Sequence, residues 1–145
     1  MFTLVDKNAV ITGAAGHLCS EMARSLASMG CSVAILDERL EQAEDVAKEI
    51  TAKGGNAIAL KLDARKKSDF KECQKAVTAQ MGEIDILING AGINAPTPFM
   101  EITEAEFDNI IAVQLKGTMF GCQVFGQKML EQGRGSVINI SSASA

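Results

Sequence analysis

The sequence predicts a three-layer α/β/α domain built on a doubly wound parallel sheet. Three observations carry this prediction. Short β-rich runs alternate with longer stretches whose apolar residues fall at helical spacing. The runs are apolar throughout, which suits strands buried on both faces of a parallel sheet. Strand starts near 9, 32, 57 and 84 are evenly spaced, as repeated βα units require, and right-handed crossovers then cover both faces with helices.

Taken in order, the first strand spans 9–12 and leads into a helix that places Leu18, Met22, Leu26 and Met29 on one face. A strand at 32–36 precedes a helix carrying Ala43, Val46, Ala47 and Ile50, and a third strand at 57–60 precedes one carrying Phe70, Cys73 and Val77. A fourth strand covers 84–88 and a fifth 136–140. The interval between these last two is twice the usual length and is predicted to hold two helical segments, about 104–112 and 115–131. Thr103 and Glu106 form a T-x-x-E capping box that opens the first of them. Gly30, Gly54-Gly55, Gly82 and Gly133 each follow a helical pattern, where glycine most easily adopts the left-handed turn that closes a helix. With no linker, repeat or low-complexity tract, residues 1–145 read as a single domain.

Composition agrees and excludes several functions. A chain of 145 residues buries about 68–70% of its unfolded surface, enough for one core. An apolar content of 47% excludes disorder, and a net charge of −4 excludes a basic nucleic-acid scaffold. The basic run Arg65-Lys66-Lys67 is short, lacks interleaved aromatics and reads as a solvated loop or helix start. No apolar run reaches the length of a membrane span, and the first residues lack the basic start and apolar stretch of a signal peptide. Four widely spaced cysteines and one histidine suggest neither a zinc site nor a disulfide framework. A cytoplasmic protein without nucleic-acid or membrane partners is expected. All six aromatic residues are phenylalanine; tyrosine and tryptophan are absent.

The first strand runs into Thr12-Gly13-Ala14-Ala15-Gly16-His17-Leu18-Cys19, with a helix following. A glycine-rich turn in this position brings backbone N–H groups and the positive end of a helix dipole up to a pyrophosphate. Gly13 and Gly16 fill the first two glycine places, and Ala15, His17 and Leu18 complete the contact surface. Cys19 stands at the third place, where its sulfur is expected to crowd helix–strand packing. Asp37 follows the second strand, 24 residues after Gly13, where an acid accepts hydrogen bonds from an adenosine ribose and repels a 2′-phosphate. This favours NAD. Arg39 offers a 2′-phosphate a partner, but Asp37 argues against it; Asp37 also suits a helix N-cap. Asp63, after the third strand, is placed to touch an adenine, or is a plain loop acid. The imidazole of His17 reads as an exposed loop side chain.

After the fourth strand, Asp85-Ile-Leu-Ile-Asn-Gly-Ala-Gly92 resembles the D-x-L-V-N-N-A-G motif of the short-chain dehydrogenase/reductase family, with Gly90 in place of the second Asn. Val113-Gln-Leu-Lys-Gly117 is similar to the family's V-N-h-x-G, and Gly135-Ser-Val-Ile-Asn-Ile-Ser-Ser142 to the strand that ends in its catalytic serine. The resemblance covers essentially the whole chain and implies a Rossmann fold that binds NAD through Asn89, Ala91 and Gly92 besides the residues above. It implies a serine at Ser142 that orients substrate. Gln114 occupies the place of the asparagine that holds a relay water, its amide kept but one methylene further out. The family's tyrosine and lysine follow beyond the last residue here, so the chain is expected to be the N-terminal part of a longer protein, with its fifth strand an uncovered edge.

The resemblance implies an NAD-dependent oxidoreductase acting on an alcohol or ketone. Residues 19–23 and 89–99 are similar to members that act on sugar acids or polyols. The alternative for the chain alone is a dinucleotide-binding module without turnover. A Rossmann-like methyltransferase shares the glycine turn and the acid, but the motifs at 89–92 and 141–142 count against it. The apolar residues Phe107, Ile110, Ile111, Leu115, Met119, Phe120 and Phe125 suit either a core or the helix pairs through which this family forms homo-oligomers.

Overall fold

The computed structural model describes residues 3–142; the ends of the expected domain, 1–2 and 143–145, lie outside the described residues. Strands β1 (Asn8–Thr12), β2 (Ser32–Asp37), β3 (Ala57–Lys61), β4 (Ile86–Asn89) and β5 (Ser136–Asn139) form one parallel sheet in the order β3-β2-β1-β4-β5. The chain therefore winds outward from β1 to β3, returns to place β4 on the other side of β1, and continues to β5. The carboxyl ends of β1 and β4 flank the point where the winding reverses, and connections diverge there to leave a crevice.

Side-chain alternation divides the interior into two layers. Ala9, Ile11, Val33, Ile35 and Ile88 pack with Ala23 and Ala27 of α1 (His17–Ser28) and with Ala43, Val46, Ala47 and Ile50 of α2 (Leu40–Ala52). Val10, Ala34, Leu36 and Leu87 face the other way, toward Phe70, Cys73 and Val77 of α3 (Lys67–Met81) and Phe125 and Met129 of α5 (Gly117–Gln132). Ala9, Val10 and Ile11 are all fully buried, which is why the central strand shows no polar alternation. The predicted doubly wound, three-layer class is the one observed.

Two boundaries differ from expectation. The segments predicted at 104–112 and 115–131 are one continuous helix: α4 (Glu104–Ile111) passes through a π-helical turn (Ala112–Lys116) into α5, with helical dihedrals at both junctions. A π turn adds a residue to the hydrogen-bonded ring without leaving helical φ and ψ, so it shifts the apolar phase as a break does. The fourth strand begins later, at Ile86, because Asp85 is the edge of the ladder: its N–H donates to Asn8 O at 2.9 Å and its carbonyl accepts from Ser136 N at 2.8 Å. The capping box at Thr103 and Glu106 is present, and Gly133 closes α5 with φ +72°. All four β5 residues are exposed, Val137 by 42% and Ile138 by 46%, and its outer edge pairs with no strand among the described residues. Among the described residues no helix is long and apolar enough to cross a membrane.

Asp85 clips the amino-terminal ends of three strands. Its Oδ2 accepts from Asn8 N at 3.1 Å, and its Oδ1 faces Lys7 Nζ at 3.3 Å and Arg134 Nε at 3.1 Å. Burial pushes the carboxyl up, but the hydrogen bonds from Asn8, Arg134 and Lys7 outweigh it and hold the group below its ordinary range. A carboxyl depressed by folding stabilises the fold above its unfolded value, about pH 4, and ceases to do so as pH falls through its folded value. Asp85→Asn is expected to cost about 1–2 kcal/mol in urea unfolding at pH 7, since both cationic partners are half-exposed. The gap to the parent protein should narrow below about pH 4.

Candidate functional site

The reversal point opens into a cavity of about 530 Å³. Its walls come from the turn after β1 (Gly13, Gly16, His17, Leu18, Cys19), the ends of β2 (Asp37, Glu38, Arg39) and β3 (Leu62, Asp63, Ala64), the turn after β4 (Gly90, Ala91, Gly92, Ile93), and Val113 and Ile140.

The turn after β1 is shaped by close backbone passage. Gly13 has φ +67°, and a Cβ there would lie 2.7 Å from Ala91 Cα and 2.8 Å from Gly90 O. Both the dihedral and the contact exclude a side chain. Thr12, a residue the sequence motifs pass over, joins the two turns: its buried Oγ1 accepts from Gly90 N at 3.1 Å and Ala91 N at 3.3 Å. Helix α1 then starts at His17 after Gly16, with no side-chain cap and no acid in its first turn. The N–H groups of His17, Leu18 and Cys19 consequently have no acceptor among the described residues. Three donors at the positive end of a helix dipole, facing a cavity, suit an anion such as a phosphate.

Asp37 closes one side of this turn. Its Oδ2 accepts from Ala15 N at 3.0 Å, and its Oδ1 accepts from Arg39 N at 3.0 Å and Arg39 Nε at 3.1 Å. It is not the N-cap of α2; that position is Arg39, which makes no side-chain cap. Ala15 thus meets Asp37 through its N–H and does not itself line the cavity. On the next strand, Asp63 is gripped by Arg65, whose guanidinium holds the carboxyl below the usual range despite its burial.

Cys19 is accommodated by a second departure from the motif. A Cβ on residue 90 would overlap Cys19 Sγ, so the glycine at 90 provides the room that the sulfur takes. Burial and the neighbouring Asp37 charge push the Cys19 thiol up, which keeps it protonated at neutral pH. The crowding expected at this position is relieved by a residue 71 positions away.

Of the sequence-derived residues, Gly13, Gly16, His17, Leu18, Asp37, Asp63, Ala91 and Gly92 share the cavity wall. Asn89 is buried between β4, β5 and α5, where its Nδ2 donates to Asn139 Oδ1 at 2.9 Å. Its Oδ1 packs in the space left by Gly121 and has no hydrogen-bond partner among the described residues. Gln114, in the π turn, is exposed and donates from Nε2 to Ile93 O at 2.7 Å, tying down the loop that follows the cavity wall. Glu106 holds the far end of that loop by accepting from Thr97 Oγ1 at 2.6 Å. Ser142 is exposed just past β5, two residues beyond Ile140.

The sequence matches the short chain dehydrogenase family over residues 7–145. Among curated relatives, an uncharacterized oxidoreductase, UxuB, of Bacillus subtilis is 38% identical over 98% of this chain and 56% of its own length. D-threitol dehydrogenase of Mycolicibacterium smegmatis is 33% identical over 99% of this chain and 55% of its own. The chain thus spans about half the length of the curated relatives it matches. Two solved structures superpose closely. One is a Haemophilus influenza protein provisionally assigned as a D-mannonate oxidoreductase, with NAD bound (TM-score 0.89, 33% identity, 96% of this chain and 56% of that one). The other is a metagenomic short-chain oxidoreductase in complex with NADP (TM-score 0.90, 33% identity, 97% and 64%).

The Cys19–Gly90 contact is open to a double-mutant cycle. Gly90→Ala alone should destabilise by about 1–3 kcal/mol through overpacking, and Cys19→Gly by about 1 kcal/mol, mainly through lost packing of the buried thiol with a few tenths from helix propensity. Combined, the two should cost less than their sum by about 1 kcal/mol, measured by urea unfolding. Strict additivity contradicts the shared space.

Proposed function

The chain belongs to the short chain dehydrogenase family, and from that membership we propose that it supplies the NAD-binding half of an oxidoreductase acting on an alcohol or ketone. The observation that carries the reading is the conjunction in one cavity of the uncapped α1 amides and the Asp37 carboxylate. The residues suit a dinucleotide: Gly13, Gly16, His17 and Leu18 offer backbone to a pyrophosphate, Asp37 a carboxylate to a ribose, and Ala91 and Gly92 a flat wall without large side chains. Ala15 and Asn89 serve indirectly, Ala15 by fixing Asp37 and Asn89 by holding the β4 turn against β5. NAD, when bound, supplies the hydride chemistry. Asp37 favours NAD over NADP, because a 2′-phosphate would meet a negative charge already held by Ala15 and Arg39.

On this reading Ser142 orients a small-molecule substrate oxygen, and Gln114 steadies the cavity wall by donating to Ile93 O. A sugar acid or polyol is the substrate class we favour, in keeping with a threitol dehydrogenase and a mannonate-assigned oxidoreductase among the similar proteins. The apolar outer face of α4 and α5, with Phe107 exposed by 57%, Leu115 by 64% and Met119 by 45%, suits a homo-oligomer contact. Four cysteines without disulfides suit the reducing cytoplasm.

One observation favours a second reading for the 145 residues by themselves: they contain no tyrosine, the residue type from which this family takes its proton donor. Binding without turnover is then the activity of this chain. Titration of NADH fluorescence should give an affinity at least about tenfold tighter than for NADPH. Asp37→Asn, which keeps an acceptor for Ala15 N while losing the charge, should bring the two within about threefold. Equal or reversed preference in the parent protein contradicts the NAD assignment, and turnover with NADH and simple ketones contradicts the second reading.

A further inference from the structure

Arg65 stands behind the cavity wall and reaches three separate segments. Its Nε and Nη2 grip the two oxygens of Asp63 at 2.7 and 3.1 Å, Nη2 also meets Glu38 Oε1 at 2.5 Å, and Nη1 reaches Asn109 Oδ1 of α4 at 3.5 Å. Asp63 and Glu38 line the cavity, while Arg65 does not. This joins the turns after β2 and β3 to α4, across 27 and 44 residues of sequence.

The grip divides the acceptor capacity of Asp63 unequally. A carboxylate oxygen accepts about two hydrogen bonds. Oδ1 already takes two, from the N–H of Arg65 at 3.0 Å and from Nε at 2.7 Å. Oδ2 takes one, from Nη2 at 3.1 Å, and the Lys66 ammonium comes only to 3.5 Å. The last acceptor position, on Oδ2, is shared only with the exposed Lys66 ammonium, and a two-point planar contact prevents the cavity-lining carboxylate from turning to offer another.

We propose, building on the nucleotide-binding reading above and taking Asp63 as the wall residue that meets the adenine, that Arg65 is a positioning residue that makes the site select adenine over hypoxanthine. Adenine presents a 6-amino donor. Hypoxanthine presents a carbonyl oxygen there, and its nearest donor lies one position round the ring, at N1. A carboxylate free to turn follows that donor. One held at both oxygens does not, and it meets the carbonyl with a lone pair. The selectivity then comes from Arg65, which touches neither base.

The test is calorimetric titration of the purified protein with AMP and IMP. The parent protein should prefer AMP by about tenfold, the cost of one mismatched hydrogen bond. In Arg65→Met the preference should fall to within about twofold, with IMP binding retained. Should that variant fail to fold by circular dichroism, Arg65→Lys, which keeps the charge but not the two-point grip, should show the same collapse. Asn109→Ala, which removes a contact of Arg65 outside the cavity and leaves the Asp63 grip in place, should keep the preference. Parallel weakening of AMP and IMP in the Arg65 variants, or an unchanged preference, overturns the proposal and indicates a purely structural clamp. If the parent protein binds NAD yet does not distinguish AMP from IMP, this inference alone fails. If it binds neither NAD nor AMP, the nucleotide reading fails with it.

Discussion

The turns after β1 and β4 pass each other at backbone contact, and the cavity exists because they do. Gly13 has no Cβ to strike Ala91, and Thr12 Oγ1 accepts the two N–H groups that the β4 turn would otherwise leave unpaired. Buried backbone donors without acceptors are costly, so these bonds fix the separation of the turns as well as satisfying the chain. With that separation fixed, α1 starts at the edge of the crevice and its first amides point into an open space. The departures at Cys19 and Gly90 follow from the same constraint: where backbones run this close, a sulfur fits on one side only if the other gives up its side chain.

The walls are then held by charge. Asp37 ties the phosphate-type turn to the end of β2, Arg65 ties β2, β3 and α4 together, and Gln114 and Glu106 pin the two ends of the loop after β4. Several of these side chains have a double existence. Asp37 is both the anchor of Ala15 and part of the cavity wall, and Asp63 is both the ligand of Arg65 and part of that wall. At such positions a substitution that removes a contact to a ligand also loosens the frame, so variants that keep a hydrogen-bond acceptor are more informative than alanine.

Much of this was readable from local pattern. The parallel strands announce themselves through unbroken apolar runs such as 32–36, the helices through three- and four-residue spacing, and the cavity through Gly13, Gly16 and Asp37 at the ends of consecutive strands. What escaped was of two kinds. The π turn at Ala112–Lys116 changes hydrogen-bond ring size without a change in residue type, so its phase shift looks like a helix break. Contacts between distant residues were equally invisible: nothing near Arg65 in the chain indicates Glu38 or Asn109, and nothing near Cys19 indicates Gly90. Asn89, recognised by its motif, turns its side chain into the helix–sheet interface, a direction that strand alternation allows but does not specify when both faces are buried.

On the proposed function, the uncapped amides of α1 receive the pyrophosphate of a dinucleotide. The most direct measurement is an amide-resolved NMR titration of the ¹⁵N-labelled protein with NAD. The N–H signals of His17, Leu18 and Cys19 should shift together with those of Gly13 and Gly16 and saturate at one common affinity. Shifts confined to other parts of the molecule, with these five amides unmoved at saturation, would contradict it.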